Sequence, residues 1–308
     1  MSDKAMGGRE PSEGLIIKGV GGFYYVEADG VIYECKARGV FRKRGITPLA
    51  GDRCLITTRE DSYSSIDEIL PRRNSLIRPA VANIDRLFIV VSAVRPSPNL
   101  TVIDRMTAMA EDLEIEPIIV FTKLDIASAD ETRDIYARAG YETVDIDYAT
   151  GSGIERMREL MRDKISAFAG NSGVGKSTLL NAIVPELSQE TGEISDKLGR
   201  GRHTTRSVEL FTLPFGGRIA DTPGFASFEG ELLYIIDKEQ LQYCFREFEP
   251  YLGECRFTGC AHLCEKGCAV VQAVSEGKIA PSRHESYCVM YDEAKNNKPW
   301  EQKNPKNV

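Results

Sequence analysis

Residues 170–177 read Gly170-Asn171-Ser172-Gly173-Val174-Gly175-Lys176-Ser177, a GxxxxGKS run followed by Thr178. The apolar stretch KISAFAG leads into it, and an amphipathic stretch carrying Leu179, Leu180 and Ile183 leads away. This is the context of a buried strand, a glycine-rich turn and a helix N-terminus, which together cradle phosphate. The glycines let backbone N–H groups approach a β-phosphate, and the helix dipole favours the negative charge. Lys176 is expected to reach the β- and γ-phosphates, and Ser177 to ligate Mg2+. A chain built around such a unit is committed to a sheet with parallel strands.

Asp221-Thr-Pro-Gly224 follows the apolar run GRIAD, forty-odd residues after the loop. An Asp at a strand end there can hold the Mg2+ through water, and the Gly224 N–H can address the γ-phosphate. Between the two motifs lies Gly199-Arg-Gly-Arg-His-Thr-Thr-Arg206. Thr204 or Thr205 is expected to close over the metal, ordering this loop in the triphosphate state. Alone DTPG is a common turn; at this distance after GxxxxGKS it is strong.

The base is read elsewhere. Thr122-Lys123-Leu124-Asp125 ends the apolar run PIIVFT. At such a strand end Asn-Lys-x-Asp is the usual guanine reader: the carboxylate accepts from N1 and N2, a donor pair that adenine lacks. Thr122 departs from the commoner Asn, while the selection by Asp125 is untouched. Ala149 and Thr150, at the next strand end, are expected to offer an N–H to the base oxygen. The order of these motifs is the strongest constraint on the fold. The base reader precedes the phosphate loop, whereas the usual order is the reverse. All parts of one guanine-nucleotide site are present in rotated order, as when the neighbouring ends of a domain are joined and the chain is opened elsewhere. From Ile84 onward, IDRLFIVVSAV, a helix near 101–114, PIIVFT, a helix near 130–139, a strand near 141–146 and a helix at 153–163 alternate before KISAFAG. SVELFTL and GRIAD complete an α/β sheet with helices on both faces.

The flanks are different. Residues 14–75 hold short β-like runs (GLIIKGVGGFYYVEA, VIYECKA, RCLITT) separated by glycines and turn residues, the pattern of a small five-stranded barrel. The organisation expected is a tail over 1–13, a barrel over 14–76, a permuted nucleotide domain over 80–232 and a helical module over 233–308 with a mobile end. Net charge is −7 overall but +3 over 14–78 and +2 over 278–308, against −11 between them. Lys36, Arg38, Arg42, Lys43 and Arg44 form the densest basic run and are candidates for RNA phosphate contact. Residues 1–13 lack the apolar stretch of a secretory signal, and no run of about 18 uncharged apolar residues occurs. A soluble, cytoplasmic protein without membrane contact is expected.

Of eight cysteines, Cys255, Cys260, Cys264 and Cys268 crowd together with His262 among them. Cys255-x4-Cys260-x-His262-x5-Cys268 supplies three thiolates and an imidazole, the donor count of a closed structural Zn2+ site. Cys264 stands as a fifth candidate that spacing does not separate from the four. Cys35, Cys54, Cys244 and Cys288 are scattered and read as small buried residues.

A barrel, then TKLD, GxxxxGKS and DTPG in permuted order, then this cysteine–histidine module, resembles the ribosome-small-subunit-dependent GTPase A family along nearly the whole chain. The resemblance implies an OB-fold barrel, a helical zinc-binding domain, and GTP hydrolysis stimulated by the small (30S) ribosomal subunit during its late maturation. It implies rRNA and the subunit as partners, a monomer, GTP held by 170–178 and 122–125, and one zinc held by Cys255, Cys260, His262 and Cys268.

Phe225 follows DTPG, where many GTPases place a Gln that positions water, and a phenyl ring does not do so. Slow intrinsic turnover is expected, with His203 the candidate for positioning water and Lys176 and Gly224 acting on the γ-phosphate. Arg200, Arg202 and Arg206 serve either transition-state charge or RNA. A small-molecule kinase is disfavoured by Asp125, because most such enzymes use ATP. A pure RNA binder is disfavoured by the intact Lys176, Ser177 and Asp221.

Overall fold

The computed structural model describes residues 11–59, 63–76, 79–185, 208–221 and 234–296, with Asp221 described as backbone only. The first five strands are β1 (Ser12–Val20), β2 (Phe23–Ala28), β3 (Val31–Ala37), β4 (Arg53–Thr57) and β5 (Ser64–Ile69). They pair in the order β1-β2-β3-β5-β4, and β4 returns to β1 to close a barrel, with only β3–β5 parallel. Alternation places Ile16, Val26, Cys35, Cys54, Ile56 and Ile66 inside. The short helix α1 (Gly39–Lys43) lies between β3 and β4 and plugs the barrel with Phe41.

Gly51, at φ +91°, turns the chain into β4; a Cβ there would stand 2.0 Å from the Ala82 carbonyl oxygen, so no other residue fits. Beside it the buried Asp52 carboxylate accepts from Arg72 at 2.6 and 2.8 Å and from the Leu49 N–H at 2.7 Å. The hairpin β6 (Ser75–Leu76) and β7 (Val81–Ala82) then leads into the second domain.

There the strands are β8 (Arg86–Ser92), β9 (Glu116–Thr122), β10 (Glu142–Asp145), β11 (Ile165–Ala169), β12 (Glu209–Thr212) and β13 (Arg218–Asp221). Their order is β10-β9-β8-β11-β13-β12, with only β12 antiparallel to its neighbour. Strand β11, which feeds the phosphate loop, is fourth in sequence yet lies inside the sheet between β8 and β13. β8 is apolar on both faces because both are covered. Leu87, Ile89 and Val91 pack with the helices α2 (Leu100–Asp112) and α3 (Asp130–Arg138), while Phe88 and Val90 pack with α4 (Ile154–Met161) and α5 (Lys176–Ile183). One antiparallel contact, Lys18 opposite Glu209, joins β1 to β12, and their side chains pair at 2.5 Å.

The final module comprises α6 (Lys238–Leu241), two 3-10 turns (Gln242–Cys244 and Arg246–Tyr251), α7 (Ala269–Ser275) and α8 (Pro281–Asn296). Phe245, Phe248, Val270, Ile279 and Tyr287 form its core. Of the scattered cysteines, Cys35, Cys54 and Cys244 are buried as expected, whereas Cys288 is only half-buried on α8.

Arg283 of α8 is fully buried and binds Asp104 of α2 at 2.8 Å and Glu247 at 2.6 and 3.1 Å. It also donates to Thr107 and Tyr141, and its guanidinium lies 4.6 Å from the Phe245 ring centroid. Removing one member of a buried ion cluster strands the others without water. Arg283→Ala is expected to cost about 3–5 kcal/mol, read as a large fall in the urea unfolding midpoint. Arg246→Ala, whose partners Glu111 and Glu116 are partly solvated, should cost much less.

Candidate guanine-nucleotide site and metal centre

The phosphate loop is shaped by its glycines. Gly170 has φ +133°, and a Cβ on it would stand 2.4 Å from the Val90 carbonyl oxygen of β8; Gly175 has φ +102°. The loop therefore lies against the end of β8 in a path that L side chains do not follow. Lys176 opens α5 and its ammonium donates to the Gly170 and Asn171 carbonyls at the loop mouth. Ser172, Gly173, Ser177 and Thr178 are exposed along this mouth, and Val174 is buried beneath it.

The base-reading motif is tied directly to this loop. Thr122 is buried at the end of β9, and its hydroxyl donates to the Val174 carbonyl at 2.6 Å. Lys123, at φ +59°, donates to Gly173 O at 2.7 Å and to Arg95 O at 2.6 Å. Leu124 is half-buried, and the Asp125 carboxylate beyond it is exposed. Fifty residues of separation collapse to hydrogen-bond distance because β9, β8 and β11 are successive parallel neighbours.

The third wall is the turn after β10. Asp147 Oδ1 accepts from the N–H groups of Ala149 at 2.8 Å and Thr150 at 3.3 Å. A hydrogen bond from the Thr150 hydroxyl, and then these two backbone N–H groups, hold the Asp147 carboxyl below the usual carboxylate range. Gly151 N–H bonds to Asp147 O. Both residues singled out to face the base thus have their N–H groups engaged within the turn. Among 146–151 the backbone N–H of Tyr148 is the one without a partner among the described residues. The sequence does not single out Tyr148 or Asp147 by residue type; an Asp two residues before an Ala-Thr-Gly turn is the local signal that marks them.

Asp221 ends β13 beside the strand of the phosphate loop, in register with it through Ile219 opposite Ser166. His203, Thr204, Thr205 and Gly224, with Arg200, Arg202, Arg206 and Phe225, lie outside the described residues.

Cys255, Cys260, His262 and Cys268 converge, their ligand atoms all within 4.8 Å of one another. Cys255 Sγ is 3.8 Å from Cys268 Sγ and 3.5 Å from His262 Nδ1, and His262 Nδ1 is 3.4 Å from Cys268 Sγ. Tetrahedral zinc bonds require S···S near about 3.8 Å and S···N near about 3.5 Å, so the donor set fits such an ion. His262 Nε2 faces Gln242 Oε1 at 3.0 Å, which leaves Nδ1 for the metal. Backbone N–H groups of Ala269 and Val271 point at the Cys255 and Cys268 sulfurs. Burial first, and then the neighbouring Cys268 and Cys255 sulfurs, push the Cys260 thiol up to about 12, so a cation is what makes thiolates tenable here. Cys264 is exposed and is not part of the cluster.

Lys36 lies over the rings of Phe23 and Tyr63, at 4.8 and 4.4 Å from their centroids. Arg38 pairs with Asp67 at 2.8 Å, and Arg42, Lys43 and Arg44 are exposed on and after α1. Tyr24, Arg38, Phe41, Arg42, Thr47 and Pro48 line an open pocket beside them.

Two family models match the chain: that described as RsgA GTPase over residues 69–231, and that described as RsgA N-terminal domain over 13–66. The chain belongs to the RsgA GTPase family. A relative from Caldanaerobacter subterraneus subsp. tengcongensis, named "Small ribosomal subunit biogenesis GTPase RsgA", is 44% identical over 96% of this chain and 100% of its own length. The protein of that name from Streptococcus pyogenes is 43% identical over 92% of this chain and 96% of its own. Among solved structures, YjeQ from Thermotoga maritima superposes with a TM-score of 0.78 at 34% identity, covering 94% of this chain and all of that one. YloQ, described as a circularly permuted GTPase, gives a TM-score of 0.75 at 36% identity over 96% and 99%. The chain is a GTPase whose G domain is circularly permuted, between an OB-like barrel and a helical module bearing the cysteine–histidine cluster.

If zinc staples the 255–268 loop, stripping it should loosen that module first. Cys255→Ser is expected to lower bound zinc from one equivalent to near none. The same variant should raise amide exchange across 255–291 while leaving exchange in β8 and β11 unchanged.

Proposed function

We propose that this GTPase is a nucleotide-driven switch in the biogenesis of the small ribosomal subunit, acting in its late maturation on the 30S particle and its rRNA. The observation that carries this reading is the meeting of Thr122 and Lys123 with the phosphate loop in permuted order, within a chain of which relatives named for that role cover nearly the full length. Asp125 accepts from guanine N1 and N2, and the turn at 147–151, with Ala149 and Thr150, borders the base. Residues 170–178 wrap the phosphates; Lys176 leaves its carbonyl partners for the β- and γ-phosphates, and the Gly224 N–H addresses the γ-phosphate.

The oxygens of Ser177, Asp221 and either Thr204 or Thr205 are the hard donors suited to Mg2+. Bound there, Mg2+ neutralises charge developing on the phosphates. His203 orients the attacking water in place of the absent Gln. Zn2+ in the Cys255–Cys260–His262–Cys268 set is structural, since four protein donors leave no open position.

The barrel run Lys36, Arg38, Arg42, Lys43 and Arg44 meets rRNA phosphates, offsetting an acidic G domain that RNA would otherwise repel. No helix among the described residues is long and apolar enough to cross a membrane. The protein works as a cytoplasmic monomer that meets its partner as the assembled particle.

Turnover of GTP measured with and without purified small subunits, with ATP as control, tests this. Strong stimulation confined to GTP is expected. His203→Ala should cut the stimulated rate about a hundredfold while GDP affinity stays put. Unstimulated turnover despite tight GTP binding would remove the partner and leave the permuted site standing.

A further inference from the structure

The base-reading corner holds a buried side-chain hydroxyl to which no role has been given. The Tyr148 hydroxyl is shielded from solvent and has no hydrogen-bond partner among the described residues. It lies 3.7 Å from the point where a Cβ on Gly175 would stand, and the Thr122 hydroxyl lies 3.7 Å from the same point. Two hydroxyls thus flank the last glycine of the phosphate loop. A hydroxyl has a single proton to donate. Thr122 commits its proton to Val174 O, whereas Tyr148 keeps its own.

A buried hydroxyl without a partner weakens a fold, so its retention points to a ligand that completes it. Guanine has the matching need. Asp125 addresses its N1 and N2 donors, while the opposite edge presents N7 and O6, both acceptors. Asn at position 122 would carry two amide protons, enough to hold the loop and address the base together. Threonine has one.

We propose that the Tyr148 hydroxyl donates a hydrogen bond to N7 of bound guanine, supplying the donor that Thr122 gives up to the phosphate loop. This rests on the assignment of 122–125 as the guanine reader. The ring is already fixed against the apolar cluster that includes Leu179 and Ile183, so binding orders no new side chain. Burial, and then the nearby Asp125 carboxylate, push the phenol's pKa up, which keeps the donor protonated.

The test uses calorimetry on the full chain with GDP and 7-deaza-GDP, in which a C–H replaces N7. The unsubstituted protein should bind 7-deaza-GDP roughly fivefold more weakly than GDP, the effect of one neutral hydrogen bond. Tyr148→Phe should weaken GDP by a similar factor and show no further loss with 7-deaza-GDP. Its unliganded melting temperature should hold or rise, opposite in direction to the affinity, because an unpartnered hydroxyl has gone. Normal GDP affinity in Tyr148→Phe, or a 7-deaza penalty that survives undiminished in it, would overturn the proposal. Equal affinity of the unsubstituted protein for ADP and GDP would instead bring down the guanine assignment of 122–125, and the proposal with it.

Discussion

The parallel pairing of β11 with β8 is the contact on which the site depends. β8 enters the sheet first and β9 adds to one edge of it. The other edge waits until residue 165, when β11 pairs Ala167 with Leu87 and Ala169 with Ile89. That register sets Gly170 against the Val90 carbonyl, and it brings Val174 under the Thr122 hydroxyl. A nucleotide site needs its parts at the carboxyl ends of adjacent parallel strands, and the sheet supplies this whichever strand the chain visits first. Permutation therefore alters the loops and the order of folding without altering the cradle. The two hydrogen bonds from 122–123 to the phosphate loop join what the chain separates by fifty residues.

The barrel is fastened to this domain by an apolar seam, where Leu15, Ile17 and Ala50 join the cluster that holds Leu210 and Ala220, and by polar contacts around it. Lys18 pairs with Glu209, Arg218 with Glu27, and Asn83 donates to Gly51 O at 2.8 Å. Asn74 and Ile84 exchange two hydrogen bonds across the base of the β6–β7 hairpin. Such joints hold an orientation through geometry, and the buried Asp52–Arg72 pair fixes the turn from which they are reached. The acidic G domain and the basic run on the barrel are thereby held in one fixed relation.

Much of this was legible in the sequence because the signals are local. GxxxxGKS, the run LFIVVS and the alternation in VIYECKA each report a backbone state within a few residues. Motif order alone disclosed the permutation. The four metal donors were legible by spacing, and burial then separated Cys264 from them. What stayed hidden is non-local. Nothing near Arg283 marks it as a fully buried charge, since its partners are 36 and 179 residues away. The pairing of β1 with β12 crosses 191 residues through one residue pair. Thr122 looked like a weakened Asn until its hydroxyl was seen to hold the phosphate loop. Ala149 and Thr150 looked like free donors because the chain gives no sign that Asp147 folds back onto them.

The helical module is joined to the nucleotide site through α2. The metal-ligand loop is pinned to α8 by Tyr287, whose hydroxyl donates to Ala261 O at 2.9 Å, and by His284, which donates to His262 O at 2.7 Å. One turn along α8, Arg283 reaches Asp104 and Thr107 of α2, and Glu293 binds Arg105 of the same helix at 2.6 Å. The turn that precedes α2 contains Arg95, whose carbonyl receives the Lys123 ammonium. α2 therefore has the module bearing the cysteine–histidine cluster clamped along its length and the 122–125 turn at its head. This contiguity explains the placement of so costly a buried charge. Arg283 sits where slippage of α8 along α2 would have to break a fully desolvated ion cluster, which fixes the register of the two helices.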